Sequence, residues 1–193
     1  MACFLLSACG SGSSSSVSSG QSETSTQTSG AAALAADARS AATGDIPDNQ
    51  NFLTYRNASP GFSIVYPEGW TVKQSGSEVT FKDKNNLVRI AIGRGSAPTP
   101  AAVQAQLATL KRSNPTILAG TPQTIALKSG PAVKITYTTQ SAPNPVTGKS
   151  VTLMVDRYEL ARGGQVATID LGTPTGVDNV DAYKKMVASY RWG

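Results

Sequence analysis

The chain has 193 residues, a formal net charge of +5, no histidine and two cysteines. Without histidine it lacks the commonest general base, and both a Ser-His-Asp triad and an imidazole metal site are excluded. The cysteines are Cys3 and Cys9, so the rest of the chain cannot form a disulfide, a cysteine-ligated metal site or a thiol nucleophile of its own.

The first residues contain a lipoprotein-type cleavage site. Leu6-Ser7-Ala8-Cys9 matches the lipobox of bacterial signal peptides, in which the peptidase cleaves before the cysteine and the Cys9 thiol carries diacylglycerol. Only uncharged residues precede the match, whereas a signal peptide needs a positive region and an apolar stretch, so we expect more signal sequence upstream. The alternative is a chance match in a disordered tail. Residues 1–9 are predicted to be a signal-peptide remnant, and the lipid on Cys9 to hold the chain at the extracytoplasmic face of the cell membrane.

The segment behind Cys9 has the composition of a flexible linker. Residues 10–30 consist mainly of Ser, Gly and Thr, which cannot bury enough apolar surface to offset the entropy of ordering them. Residues 10–50 are therefore predicted to be a disordered tether, and residues 51–193 to fold as one domain. The domain holds most of the scattered Lys and Arg. These indicate a solvated basic surface rather than a site for anionic lipid or polymer.

The first half of the domain predicts an antiparallel meander. Phe62, Ile64 and Tyr66 alternate with other residues and predict a half-buried strand that Pro67 stops. Strands so closely spaced along the chain pair with their neighbours. Further strands are predicted at 52–55, 70–72, 78–82 and 88–92, with turns at 68–69 and 83–86.

A helix is predicted next. Thr99 suits the N-cap position and Pro100 the first helical position. Val103, Leu107 and Leu110 then lie on one helical stripe, and an Asn-Pro pair ends the helix.

Strands resume after this helix and lead to a second one. Pro174-Thr175 predicts its start, with Thr175 and Asp178 as a capping box. The order strands, helix, strands, helix defines an α+β fold with helices layered on an antiparallel sheet. The strands are predicted at 125–127, 133–137, 151–155 and 166–171, the apolar face of the second helix at Val180, Tyr183 and Val187, and a last edge strand at 190–192.

Motifs for nucleotide chemistry are incomplete. Thr147-Gly148-Lys149-Ser150 matches only the end of a P-loop, and Pro143 stands where the first glycine is required. No nucleotide, cofactor or nucleic-acid site is therefore predicted.

Carboxylates are the remaining acid–base candidates. Asp156 and Glu159 lie near the end of a predicted strand and should face opposite sides of the sheet. Asp178 and Asp181 fall in the first turn of the second helix, where they stabilise its dipole. Either pair could bind a hard cation through oxygen ligands, but capping and surface charge explain both, so no metal or catalytic residue is predicted. A hydrolase would require these carboxylates to converge in one cleft.

The segment Gly61–Trp70, GFSIVYPEGW, resembles the opening hairpin of PsbP-like domains, a fold shared by extrinsic photosystem II proteins and many bacterial lipoproteins. The helix after Pro100 and the closing Tyr190-Arg191-Trp192 also resemble that family. The resemblance implies a PsbP-like α/β/α sandwich, an antiparallel sheet flanked by helices, over residues 51–193. It also implies a non-enzymatic, protein-binding role. Metal sites of photosynthetic members involve histidines, which this chain lacks. The lipobox and the Ser-rich tether instead resemble those of the heterotrophic lipoprotein branch.

The aromatic residues of these segments are predicted to be structural. The resemblance implies that Tyr66, Pro67, Gly69 and Trp70 form a turn that packs the sheet against helices, with Trp192 as a terminal anchor. In the alternative, Tyr66, Trp70 and Trp192 form a ligand-stacking surface, although aromatic residues at strand ends are more often buried.

Two functions are compatible with these features. The leading hypothesis is a scaffold or protein-binding module that meets an unidentified protein partner at the membrane surface. The second is a carrier of a small hydrophobic or envelope-derived ligand held between sheet and helix. A closed core favours the first, and an apolar cavity on the order of a few hundred Å³ favours the second.

Overall fold

The computed structural model describes residues 44–144 and 146–193, together with Gly30, Ala32 and Ala35. The fold below is that of the unit Ala38–Gly193. Cys9 with its lipobox and most of the predicted tether lie outside the described residues, so both stay predictions.

Residues 44–144 and 146–193 form strands and two helices that follow the predicted order. The first five strands are β1 Phe52–Asn57, β2 Phe62–Pro67, β3 Thr71–Ser75, β4 Glu78–Asp83 and β5 Asn86–Arg94. After helix α1, Pro100–Ser113, come β6 Leu118–Ala119, β7 Gln123–Leu127, β8 Gly130–Gln140, β9 Thr152–Arg162 and β10 Gln165–Pro174. Helix α2, Val180–Ser189, and β11, Arg191–Trp192, complete the chain.

The strands form two antiparallel sheets rather than the single predicted meander. The large sheet has the order β3-β4-β5-β10-β9-β8-β6, with β7 also paired to β8, and the small sheet has the order β1-β2-β11. The chain passes between the sheets at a turn in which Gly69 has φ +89° and the Trp70 amide donates to the Pro67 carbonyl at 3.3 Å. The prediction of an antiparallel sheet with two helices is confirmed. The prediction that β2 continues directly into the same sheet is wrong, because Pro67 ends the strand and the turn redirects the chain.

The large sheet presents two different faces. On one, which we call the closed face, Val79, Phe81 and Ile90 are fully buried under α2 and the small sheet. On the other, the helix face, Val133, Ile135, Tyr137, Leu153 and Val155 pack against Val103 and Leu107 of α1. The small sheet, which sequence patterns did not separate from the large one, therefore helps to cover the closed face and contributes Phe62 and Ile64 to the main core.

Helix α1 forms as predicted at its start. Thr99 Oγ1 accepts a hydrogen bond from the Ala102 amide at 3.2 Å, and Pro100 occupies the first turn. Val103 and Leu107 are buried, but Leu110 is 37% exposed. The predicted apolar stripe is thus wrong at Leu110, because the last turn of α1 does not pack directly on the sheet.

Helix α2 starts later than predicted. Pro174 still pairs with Leu153 in the sheet, and the helix begins only at Val180, after Asn179. The predicted capping box of Thr175 and Asp178 is therefore wrong, although the Asp178 carboxylate does accept a hydrogen bond from the Val180 amide at 3.2 Å. Val180 is exposed, whereas the buried face consists of Tyr183, Met186 and Val187.

A buried polar group, which we call the asparagine cluster (Asn86, Thr173, Asn179), holds the segment before β1. The Asn86 and Asn179 side-chain amides both donate to the Gly44 carbonyl, and the Ile46 amide donates to Asn179 Oδ1 at 2.8 Å. Asn179 also donates to Thr173 Oγ1 at 2.8 Å. Gly44 and Ile46 are buried, so residues 44–50, assigned to the tether by composition, contain positions that pack on the domain.

Candidate functional site

Charged side chains form a continuous chain across the helix face. Cross-strand pairing places Ile135, Arg157, Asp170 and Arg89 side by side on β8, β9, β10 and β5. The Arg157 guanidinium binds Asp170 through Nε–Oδ1 at 2.6 Å and Nη2–Oδ2 at 3.0 Å. Arg89 donates to Asp170 Oδ2 at 3.0 Å and to Glu78 Oε2 at 2.8 Å. We call Glu78, Arg89, Arg157 and Asp170 the arginine network.

The network is buried at one end and open at the other. Arg157 and Asp170 are each 7% exposed, whereas the Arg89 side chain is 36% exposed. Burial acts to lower the pKa of Arg157, but the hydrogen bonds and charge of Asp170 outweigh it and hold that pKa above its ordinary value. Burial and the Asp170 charge raise the pKa of Tyr137, whose hydroxyl accepts from Arg157, to about 12. Both residues therefore keep their protons at neutral pH.

An apolar groove lies beside this network, under the last turn of α1. It has a volume of about 300 Å³. Leu110 and Ile117 form one wall, Leu153 and Val155 lie on the sheet side, and Tyr137 lies next to the network. We call it the Tyr137 groove. It exists because α1 covers β8 and β9 but leaves the β5 and β10 half of the face open.

A second depression lies under the first half of α1. Its volume is about 490 Å³, and its lining includes Gln106, Glu159, Thr168 and the chain from Ala91 to Pro98. Glu159 is only 1% exposed. Its Oε2 accepts from Gln106 Nε2 at 3.2 Å, while Oε1 has no hydrogen-bond partner in the protein. We call this the Glu159 pocket. Burial raises the pKa of Glu159, with the Arg157 charge and the Gln106 hydrogen bond acting in the opposite direction.

The carboxylates singled out from sequence do not converge. Asp156 and Glu159 face opposite sides of β9, as predicted, because Asp156 binds Lys134 at 2.8 Å on the face away from α1. Both residues lie inside β9, which continues to Arg162, rather than near its end. The surface-charge interpretation is wrong for Glu159, because α1 buries it. Asp178 caps the first turn of α2 and Asp181 pairs with Lys184 at 3.2 Å.

Two further findings concern residues 44–144 and 146–193. Within them no three acidic or cysteine side chains meet to form a metal-ligand group. No helix there has the length and apolarity needed to cross a membrane.

The predicted aromatic anchors lie in the main core or pack against it. Trp70 is 9% exposed in the main core, and Pro67 and Gly69 form the turn before it. Tyr66 packs on Phe81 with ring centroids 4.9 Å apart, while Trp192 contacts Tyr190 edge-on at 5.5 Å. The structure shows no shared stacking surface among these three aromatic residues.

The arginine network was missed from sequence. Its members are separated along the chain, and only strand register brings Asp170 opposite both arginines. One local signal was present, since Asp170 lies between two apolar residues in a strand and Arg157 lies in another such strand. Charged residues at these strand positions indicate that the second face of the sheet is partly covered rather than fully open to solvent.

Fold and site together define a small antiparallel α+β domain with one closed face and one half-covered, charged face. No protein-family model matches the sequence, and no curated protein does. The solution structure of cyanobacterial PsbP from Synechocystis sp. PCC 6803 matches at 14% identity with a TM-score of 0.53, over 78% of this chain and 98% of that one. The Ran-binding protein Mog1p of Saccharomyces cerevisiae matches at 11% identity with a TM-score of 0.48, over 74% of this chain and 95% of that one.

The domain therefore has the PsbP-like fold that the segment Gly61–Trp70 predicted. At 14% identity the likeness to cyanobacterial PsbP is one of fold. What the domain does must be argued from its own site.

Proposed function

We propose that this chain is a membrane-tethered lipoprotein outside the cytoplasm, whose domain binds a protein partner through the helix face and catalyses no reaction. The observation that supports it is the arrangement of that face. A preorganised arginine, Arg89, stands beside an apolar groove and is held by Glu78 and Asp170 at 2.8 and 3.0 Å.

This arrangement matches the anatomy of protein interfaces. Binding energy at such surfaces is concentrated in a few Arg and aromatic side chains that are surrounded by apolar contacts. Arg89 and Tyr137 lie at the Tyr137 groove, and the exposed Leu110 forms its rim. Because two carboxylates already fix the guanidinium, little side-chain entropy remains to be lost when a partner docks.

The charges of the arginine network also support a non-enzymatic role. A general acid or base needs a free group whose pKa lies near the working pH. Asp170 accepts three hydrogen bonds from two arginines, and Tyr137 has a pKa raised to about 12. The Asp170 oxygens are thus already occupied by the two arginines, and Tyr137 keeps its proton at neutral pH.

The size of the Tyr137 groove favours a protein side chain as its occupant. Small-molecule sites are usually about 300–1,000 Å³ and enclose most of the ligand. The groove, at about 300 Å³, lies at the lower end of that range, and exposed residues of α1 form its edge. We propose that an apolar side chain of the partner enters it.

The second candidate, a carrier of a small hydrophobic ligand, rests on the same cavity. Its apolar walls between helix and sheet are what that function requires. The two candidates differ in what contacts Leu110, because a partner protein covers the rim whereas a small ligand lies inside it.

The binding test places a photoreactive amino acid at Leu110 in the full chain, expressed with its native signal and cross-linked in intact cells. Leu53, which is 42% exposed on β1 in the small sheet, is the matched control position. We expect a cross-linked protein from position 110 only, and its loss when Arg89→Ala is added. Cross-linking to a small ligand alone supports the carrier, and equal products from both positions contradict a binding site on the helix face.

The membrane tether is tested separately. In cells that carry the upstream signal, the chain should sediment with membranes, and Cys9→Ser should release it, because diacylglycerol on Cys9 provides two acyl chains. Cys3→Ser is the matched control and should remain membrane-bound. A Cys9→Ser protein that stays in the membrane fraction contradicts the lipobox.

A further inference from the structure

The Glu159 pocket lies between the helix face of the large sheet and the start of α1. Strand register places Ala91, Thr168, Glu159 and Val133 side by side on the helix face. The pocket is open above this row because Ala91 and Ala102 have only methyl side chains and the chain between Gly93 and Pro98 is mostly Gly, Ser and Ala. The cavity of about 490 Å³ falls well within the range of small-molecule sites.

Glu159 is an incompletely satisfied carboxylate in this pocket. The residue is 1% exposed, and its one hydrogen bond comes from the neutral Gln106 amide at 3.2 Å. Oε1 is buried without a partner in the protein. A buried polar group that is left unpaired destabilises the folded protein, and a charged one does so more strongly. Such a group in a cavity indicates a ligand that supplies the missing donor.

The charges of the helix face define the sign of that ligand. Glu78 and Asp170 each bind an arginine, and Arg157 already makes two hydrogen bonds to Asp170. None of the ion pairs in residues 44–144 and 146–193 includes Glu159. Arg94 also lines the pocket, but it forms no ion pair with Glu159. A ligand with a single positive charge would give Glu159 the direct partner that it lacks among the described residues.

The polar lining distinguishes between classes of cation. A calcium ion requires about 6–8 oxygen ligands, usually from several carboxylates, whereas Glu159 is the single carboxylate that lines this pocket. A primary ammonium group carries three donors and no acceptor. Glu159, the Thr168 hydroxyl and the Gln106 amide oxygen offer three kinds of acceptor in the lining.

We propose that the Glu159 pocket binds a primary ammonium group on a slender apolar stem, with Glu159 as its counter-ion. The same chemistry is offered by a free alkylamine and by a lysine side chain of a peptide. Gln106 lies on the exposed side of α1, so its side chain can swing aside to admit the ammonium group. The site is distinct from the Tyr137 groove and does not depend on where the chain is located.

Calorimetric titration of the full chain tests this site with four probes: n-butylamine, Nα-acetyl-lysine amide, n-butanol and tetramethylammonium. We expect the two primary amines to bind. The alcohol, which lacks the charge, and tetramethylammonium, which lacks N–H donors, should not bind. Binding of both controls as tightly as the amines overturns the proposal, as does an absence of binding by either amine.

Variants link the binding to Glu159. Glu159→Gln preserves shape and removes the charge, so it should weaken n-butylamine binding at least about tenfold, or about 1.4 kcal/mol. Glu68→Gln removes the same charge from an exposed turn outside the pocket and should leave binding unchanged. If Glu159→Gln did not fold, Thr168→Val should still weaken binding. Unchanged binding in the folded variants overturns the proposal.

The two sources of the ammonium group give different affinities. Equal binding of n-butylamine and Nα-acetyl-lysine amide assigns the site to the ammonium group and its stem, as in a free amine. Tighter binding of the lysine derivative shows that backbone-like groups contribute, as in a peptide ligand. Either result supports the ammonium site.

Discussion

Neighbouring positions of the same strands have opposite chemistry on the two faces of the large sheet. Phe81 pairs with Val88 on the closed face, and one residue along each strand Thr80 pairs with Arg89 on the helix face. The first pair is fully buried in the main core, whereas the Arg89 side chain remains 36% exposed. One sheet therefore combines an apolar interior with a charged surface, and strand alternation keeps them apart.

The difference separates the source of stability from the surface that we propose for binding. Burial of apolar area on the closed face stabilises the fold directly. A buried ion pair such as Arg157–Asp170 contributes little net stability, because desolvation offsets its Coulombic attraction. The arginine network is thus better explained as a fixed recognition surface than as a source of stability.

Trp70→Ala tests the closed face and should have the largest effect. Trp70 is 9% exposed in the main core, and removal of such a side chain should lower the free energy of unfolding by about 3–5 kcal/mol. Urea denaturation of the full chain measures it. An unchanged midpoint would remove Trp70 from the core and favour a ligand-stacking role.

Asp170→Leu tests the helix face and should cost somewhat less. Arg157 would stay buried without its carboxylate, which lowers the free energy of unfolding by about 3 kcal/mol. The double variant Asp170→Leu/Arg157→Leu should recover most of this loss, because no buried charge remains and Arg89 keeps Glu78 at 2.8 Å. If the double variant were as unstable as the single one, the network would be a net stabiliser and the contrast between the faces would fail.

Glu159→Gln should have a smaller effect, and one of opposite sign. The pKa of Glu159 is raised above 4.5 in the folded protein. The folded state therefore binds more protons than the unfolded state between 4.5 and the raised value. Its stabilising contribution is complete below that window and is lost as the pH rises through it. The variant should lack this loss and be more stable than the wild type at pH 7.

Chemical denaturation across this pH range measures the Glu159 effect. Glu68→Gln, which removes an exposed carboxylate from the turn before β3, is the control and should leave the pH dependence contributed by Glu159 in place. A Glu159→Gln protein with the wild-type slope would show that its carboxyl titrates at its ordinary pKa.

Leu110→Ser should have the smallest effect on folding and a large one on binding. Leu110 is 37% exposed, so its replacement should change the free energy of unfolding by no more than about 0.5 kcal/mol. The same change should abolish capture of the partner by the helix face. Loss of stability on the scale of Trp70→Ala would place Leu110 in the core instead.

Local patterns predicted most of the elements but not their assembly. Alternation identified β2 and the strands around Val133 and Ile169, because a half-buried strand has a period of two. The same alternation carries no information on which sheet a strand joins. For that reason the transfer from the small to the large sheet at Gly69 was not foreseen.

The errors at α2 and at the site have a tertiary cause. The Pro174-Thr175 signal for a helix start was overridden by pairing of Pro174 with Leu153 and by the buried contacts of Asn179. Arg89 and Asp170 are 81 residues apart, and they meet only because β5 pairs directly with the distant strand β10. Side chains brought together in this way leave no motif in the sequence.

The asparagine cluster has a consequence for how the chain is made. The bonds from Gly44 and Ile46 to Asn179 span 135 and 133 residues. Residues 44–46 are thus synthesised long before the asparagine to which they bind near the far end of the chain. Closing so long a loop is entropically costly before the sheets exist. We therefore expect the contacts of residues 44–46 with Asn179 to be among the last that the domain completes, which hydrogen exchange during refolding would measure.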